Sequence, residues 1–199
     1  MRRFLPVLAW ALGCGGGSGS PTHMTFNTFP QDQVYAAVDE TGARYSVPII
    51  AMDVSAVTYS SADPSIATVT QQGLLATVTG AQAGDTTINA MATGYVAVHI
   101  PTTIELIQTS DIAVGMQAFT TTYTCGRSMC HDSATHDVTP SGIGDDTDDN
   151  IVRAALSGMD PDGLVIQSHT FPLTTGEQKG IVAYLRSLPP DGPPKPMQP

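Results

Sequence analysis

Cys125 and Cys130 stand at the two ends of a four-residue loop, Gly126-Arg127-Ser128-Met129, and His131 follows the second thiol directly. Two thiols so spaced add across the two vinyl groups of a haem, and a histidine beside the second thiol is then placed to ligate the iron from one face. The expectation is one covalent haem c on Cys125 and Cys130, with His131 as the proximal iron ligand. The usual loop holds two residues, so a four-residue loop must bulge outward, which Gly126 eases. Two other chemistries compete for the same residues. In an oxidising compartment Cys125 and Cys130 would form a disulfide, and a loop this short can close one. A zinc site could enlist His136 and Asp137, but it lacks a second Cys/His pair at the usual spacing.

The far side of the iron draws on residues 158–172, where Met159 and His169 both lie. Met159 sits at a helix end, against the turn Asp160-Pro161-Asp162-Gly163, and is expected to be exposed. His169 directly precedes Thr170-Phe171-Pro172-Leu173, an apolar wall for a porphyrin, and neutral imidazole is a strong iron ligand. His169 is therefore the preferred distal ligand, with Met159 the alternative and an open sixth position a third. Asp145-Asp146-Thr147-Asp148-Asp149 lacks the ligand spacing, central glycine and terminal glutamate of a calcium loop, and is read as helix capping beside a solvated acidic patch. His23, His99 and His136 are read as tether, strand-face and loop residues. No Ser-His-Asp set or phosphate-cradling glycine loop is present. A stably six-coordinate iron would not bind substrate readily, so enzyme activity is not expected on its own.

These groups must be positioned by helices. Residues 111–119 read as a helix capped by Ser110 or Asp111, with Ile112, Gly115, Met116 and Phe119 on one face. Asp148 is expected to cap a second helix that Gly158 ends. A third begins at Thr174 or Thr175, with Glu177 completing a capping box, and Pro189-Pro190 stops it. Before residue 105 the pattern is different: runs rich in Val, Ile, Thr and Ala alternate between Gly, Asp and Pro turns. Segments 54–59, 66–70, 75–78, 86–90 and 96–100 are the expected strands, and their short regular spacing points to a β-sandwich.

At 199 residues, with 41% hydrophobic and 13% charged side chains, the chain has the composition of a folded protein with room for two small domains. Its start, Arg2-Arg3 followed by an apolar run from Phe4 to Leu12, is too short to span a bilayer and reads as an export signal. The segment Ala11-Leu12-Gly13-Cys14 resembles a bacterial lipoprotein signal, which implies that Cys14 becomes the lipidated first residue of the mature protein. Gly15 after it is not the aspartate that retains lipoproteins at the inner membrane, so the resemblance implies the outer membrane. The mature chain would then carry six basic and eighteen acidic side chains, about −12. Such a surface repels nucleic acid and anionic headgroups and suits a redox partner with a cationic docking face.

Two further resemblances complete the reading. Residues 28–104, with Tyr59-Ser60-Ser61-Ala-Asp-Pro64, the Val69 strand, the Gln-Gly73 turn and Gly84-Asp-Thr-Thr-Ile88 closing it, look like a group 2 bacterial immunoglobulin-like domain. Residues 110–190 resemble a class I cytochrome c domain, a helix with Gly115 and Phe119 preceding the Cys/Cys/His loop and a last helix bearing Tyr184-Leu185. That resemblance implies that the first and last helices cross there. The expected architecture is thus multidomain, an all-β Ig-like sandwich followed by a small all-α cytochrome c domain. Its parts are a signal (1–13), a lipidated Gly/Ser-rich tether (14–24), the sandwich (25–104), the cytochrome domain (105–190) and a Pro-rich disordered tail (191–199). Function follows as an exported, lipid-anchored monohaem electron carrier, attached to the membrane through lipid alone. The alternatives are a surface adhesion or scaffold lipoprotein whose C-terminal domain is disulfide-stapled, and a haem-based ligand sensor.

Overall fold

The computed structural model describes residues 22–26, 33–125, 137–159 and 170–194. Cys14, Cys130, His131, His136 and His169 lie outside the described residues.

The β-rich half begins with two short strands, β1 (Thr22–His23) and β2 (Thr25–Phe26), and continues through β3 (Val34–Asp39), β4 (Ser46–Met52), β5 (Thr58–Ser61), β6 (Ala67–Gln72), β7 (Leu75–Gly80), β8 (Gly84–Met91), β9 (Tyr95–Val96) and β10 (Val98–Ile107). They form two four-stranded sheets, β3-β10-β8-β5 and β2-β4-β7-β6, with β1 and β9 paired separately. Neighbours within the sheets run antiparallel except β3 and β10, which are parallel from Val34↔Thr102 to Asp39↔Ile107. Alternation selects the faces: Val47, Ile49, Ala51, Ala76, Val78, Ile88, Ala90, Ile100 and Ile104 point between the sheets and are almost fully buried. Tyr59 pins one end of this core. Its hydroxyl donates to the Leu74 carbonyl and accepts from the Ala51 N–H, and burial pushes it up to about 12.

Five strands fall where the alternation places them, with shifted ends: residues 54–57 precede β5, and β10 runs from Val98 to Ile107 rather than stopping at Ile100. β1 to β4 are additional to the expected set; β1, with His23, and the buried Met24 fall inside the segment 14–24 expected to be tether. β3 is buried along nearly its whole length, so it carries no alternating signature. β4 contains Pro48, which disfavours a central strand; here Pro48 faces Thr77 of β7, and the short β2 pairs only with Met52 and Ala51.

Helices follow immediately: α1 (Thr109–Gln117), a π-helical turn over Ala118–Thr122, α2 (Pro140–Ile143), α3 (Asp148–Ser157) and α4 (Thr175–Ser187). The capping box of α4 forms as expected, Thr174 accepting from the Glu177 N–H while the Glu177 carboxylate accepts from the Thr174 N–H. Two caps differ. Thr147, not Asp148, caps α3, whose C-terminus Gly158 closes in the left-handed conformation at φ 64°. α1 starts two residues earlier than expected, and its first N–H, on Thr109, is capped from the sandwich by the Glu40 carboxylate. Asp145 also differs from the expected solvated patch, being buried. At the C-terminus, residues 191–194 pack back: Ser141 donates to the Gly192 carbonyl and Pro194 is buried. Among the described residues no helix is long and apolar enough to cross a membrane.

Candidate functional site

α1 and α4 cross at two glycines. A Cβ on Gly115 would lie 1.8 Å from the Gly180 carbonyl oxygen, and one on Gly180 would lie 2.7 Å from the Gly115 nitrogen, so the two backbones touch. One turn further along, Phe119 packs on Tyr184 with ring centroids 5.7 Å apart. The α1–α4 crossing and the Phe119–Tyr184 pair are those that the cytochrome resemblance implies, but Gly115 is met by Gly180, a position that reading left out.

From Ala118 the helix widens into the π-turn, which carries Phe119, and the chain then reverses. The Tyr123 N–H bonds the Ala118 carbonyl, the Cys125 N–H bonds the Phe119 carbonyl at 2.8 Å, and Thr124 takes a positive φ of 54°. This turn delivers Cys125 into the helical core. It is 7% exposed and shares one apolar cluster with Phe119, Ile151, Leu173, Ile181 and Leu185. On the rim, Tyr123 stacks against Phe171 at 5.1 Å, and its hydroxyl lies 3.4 Å from the Glu177 carboxylate. Partial burial foremost, then the Glu177 charge, raises the Tyr123 hydroxyl above its ordinary value. Phe171 is in turn held by its N–H on the Ala155 carbonyl, so the wall expected after His169 rests on α3.

The expected ligands therefore divide. Cys125 is placed in the apolar core next to the α1–α4 crossing, while Cys130, His131 and His169 lie outside the described residues. Met159 directly follows the Gly158 cap and is half-buried, less open than its turn context suggests. Asp137, the would-be zinc ligand, instead accepts from the Thr139 N–H and hydroxyl ahead of α2. Among the described residues no group of three His, Cys, Asp or Glu side chains is arranged to hold a metal ion. What the described part would offer a haem is a buried cysteine backed by aliphatic and aromatic side chains, in keeping with attachment through Cys125.

A polar junction that sequence reasoning missed ties this core to the sandwich. Arg186 of α4 is 3% exposed; its guanidinium bonds Glu105 of β10 and Asp148 of α3, both at 2.7 Å, donates to the Asp146 carbonyl, and lies 5.2 Å over the Tyr35 ring. The Tyr35 N–H donates to the Gly144 carbonyl at 2.7 Å, and Ala37, Ile107 and Ala183 close the apolar side of the junction. Burial pushes the Glu105 carboxyl up to about 7 against the pull of Arg186, with Asp148 competing for the same guanidinium.

Residues 20–95 match the family model of the bacterial Ig-like domain (group 2). The match covers the sandwich as far as β9 and supports an Ig-like domain there. Among solved structures, domains 4 and 5 of the S-layer protein SbsC are 23% identical, with a TM-score of 0.28, over 36% of this chain and 46% of that one. SbsC domains 5–6 are 21% identical at a TM-score of 0.30, over 41% and 42%. The Ig-like domain of human obscurin-like protein 1 is 17% identical at 0.28, over 46% and 93%. The chain thus spans less than half the length of the SbsC fragments it matches. No curated protein matches in sequence.

Proposed function

We propose that this chain is an exported, lipid-anchored monohaem c-type cytochrome that passes single electrons, with its haem on Cys125 and Cys130 and His131 on the iron. The observation that carries the reading is the buried Cys125. It is the first thiol of the Cys/Cys/His loop, and it is delivered by a π-turn into the cluster built on the Gly115/Gly180 and Phe119/Tyr184 crossing. When bound, haem c supplies a one-electron iron couple. The chain's own part is to fix one thioether position through Cys125 and to keep water from that face with Phe119, Ile151, Leu173 and Leu185. His131 and His169, with Met159 the alternative to the latter, are the residues that would bind the iron. With His131 and His169 both holding the iron, no position would be left for substrate, which is why the reading is electron transfer and not catalysis. The Ig-like domain supports an exported, surface-exposed setting, and Cys14 is the proposed lipid site, with the outer membrane the proposed destination. A redox protein with a cationic docking face is the proposed partner.

The test is the mass and reduced absorption spectrum of the mature protein after expression with a cytochrome c maturation system. A mass increment of one haem and a reduced α-band are expected, both lost in the Cys125→Ala, Cys130→Ala double variant. A haem-free chain with Cys125 and Cys130 bonded to each other would overturn the reading in favour of a disulfide-stapled scaffold.

A further inference from the structure

The two ends of the sandwich differ in chemistry. At one end β10 runs into α1, and the helices pack on Ala37 and Ile107. At the other end lie the first described residues of the chain. β1 pairs with β9 (His23↔Val96), β2 pairs with the last residues of β4 (Thr25↔Met52), and the Tyr95 hydroxyl donates to the Asp53 carbonyl. Met91, the last residue of β8, faces Thr58 at the start of β5, across the loop that leaves β4. This end exposes three of the four large apolar side chains that the described sandwich leaves open, Met52 at 46%, Met91 at 52% and Val96 at 37%; the fourth, Leu106, lies at the helix end. Large exposed apolar groups gathered at one place mark a surface that something covers.

Charge is distributed the opposite way. Asp39 and Glu40 flank the turn at the helix end, Asp85 faces Thr103, Asp63 lies beside Thr86, and Glu105 joins the Arg186 junction. Among the described acidic residues of the sandwich only Asp53 lies at the Met52/Met91 end, and its carboxylate accepts the Thr25 hydroxyl. What separates the two ends is therefore charge: the helix end is acidic, and the end with Met52, Met91 and Val96 is nearly uncharged.

Chain length selects what covers that end. Eight residue steps separate Cys14 from Thr22, a reach of at most about 28 Å. Resting on the lipid-anchor reading of Cys14, we infer that the β1/β9 end of the sandwich sits on the bilayer that holds the anchor. Met52, Met91 and Val96 dip into the lipid interface there. The unbranched, pliable methionine side chains suit a fluid apolar medium, and an acidic protein gains by presenting its least charged end to a phospholipid surface. The ten residues of β10 then act as a pedestal. They start at the membrane end and finish at the helices, which holds Cys125 and its helical core about 30 Å above the lipid, where a soluble redox partner reaches it.

Methionine footprinting of the full chain tests this without altering the patch. The lipidated protein is reconstituted in phosphatidylcholine vesicles, and the Cys14→Ala chain is mixed with the same vesicles as the unanchored reference. Both are exposed to hydroxyl radicals and read by peptide mass spectrometry. Met52 and Met91 should oxidise several-fold more slowly in the anchored chain, while Met116 on α1, 50% exposed, oxidises equally in both. Equal oxidation of all three in a chain that floats with the vesicles would overturn the orientation and leave the anchor standing. A mature chain that carries no lipid mass on Cys14 and does not float would remove the anchor reading, and this inference with it.

Discussion

Gly115 and Gly180 meet backbone to backbone, the Cβ position of the first lying 1.8 Å from the carbonyl oxygen of the second. Neither helix can yield locally, because α1 is tethered to the sandwich by Glu40 and α4 by Arg186. Gly115→Ala should therefore separate the crossing and destabilise the protein by about 3 kcal/mol, as overpacking against rigid neighbours does. Gly180→Ala meets its nearest atom at 2.7 Å and should cost less. Denaturant unfolding of the two variants checks both the magnitude and the order; equal, small losses would mean the helices slide apart freely.

The parts of this arrangement that were legible in sequence are those fixed by neighbours along the chain. The α4 capping box needs only Thr174 and Glu177 three residues apart, and the Gly158 stop needs only a residue free to turn left-handed. β7 and β8 follow from alternation between one wet and one dry face. What could not be read depends on distant partners. β3 is buried because β10 and the helices cover it, so its pattern is continuous. The Glu40 cap on Thr109 spans a whole sandwich. Arg186 sits in a run, Tyr-Leu-Arg-Ser-Leu, that reads as an ordinary helix end with a basic residue near the dipole. Its burial exists only because Tyr35 and Glu105 close over it. Of the candidate site, the Gly115/Phe119 face of α1 was readable, though Met116, assigned to the same face, is exposed, and the π-turn that aims Cys125 inward was not.

Arg186 joins three elements through one guanidinium. Arg186→Met keeps the length of the side chain but leaves Glu105 buried without its cation. Breaking a buried pair in this way should cost about 3 kcal/mol. The double variant Arg186→Met, Glu105→Leu removes both charges and should recover most of that loss. Thermal or denaturant unfolding of the cycle measures it; additive losses would mean that Glu105 and Arg186 do not act as a pair.

Glu105 also sets a pH dependence whose sign is opposite to the common carboxylate case. Its carboxyl is raised from 4.5 to about 7 in the folded protein, so folding favours the protonated form. The stabilisation is complete below about 4.5 and is lost as pH rises through 7. Glu105→Gln should flatten the stability profile in that window and gain stability relative to the parent at pH 8. Glu40 works the other way. The Thr109 hydroxyl and N–H hold its carboxyl below the ordinary value, so its capping of α1 is present above 4.5 and is lost on acidification. Glu40→Gln should remove a loss of stability at low pH without touching the profile near 7. Unfolding midpoints from pH 3 to 9 separate the two.

Thr174 offers a measure of how firmly the last helix is started. Its hydroxyl accepts from the Glu177 N–H, and Glu177 in turn receives the Thr174 N–H and lies within reach of the Tyr123 hydroxyl. Thr174→Ala should cost about 1 kcal/mol, the usual loss for an N-cap. Because Glu177 also borders the Tyr123–Phe171 wall, Glu177→Gln should lower the Tyr123 hydroxyl toward its ordinary value by removing the adjacent negative charge. Ultraviolet titration of tyrosinate in the parent and variant reads that shift; an unchanged titration would place the Glu177 charge away from the ring.

The distal ligand divides two redox behaviours. Met159 is held half-buried at the end of α3 by the Gly158 turn. His169 lies two residues before Phe171, whose N–H is anchored on the Ala155 carbonyl and whose ring packs on Tyr123. That anchoring gives the segment after His169 a fixed wall, and it is the reason to expect imidazole rather than thioether on the iron of the proposed cytochrome. A His/His iron has a lower potential than a His/Met iron, since thioether ligation favours the ferrous state. In the haem-loaded protein His169→Ala should therefore abolish the low-spin spectrum, while Met159→Leu leaves both spectrum and potential in place. If instead only Met159→Leu changes the spectrum, the thioether is the ligand, and the potential should be correspondingly high.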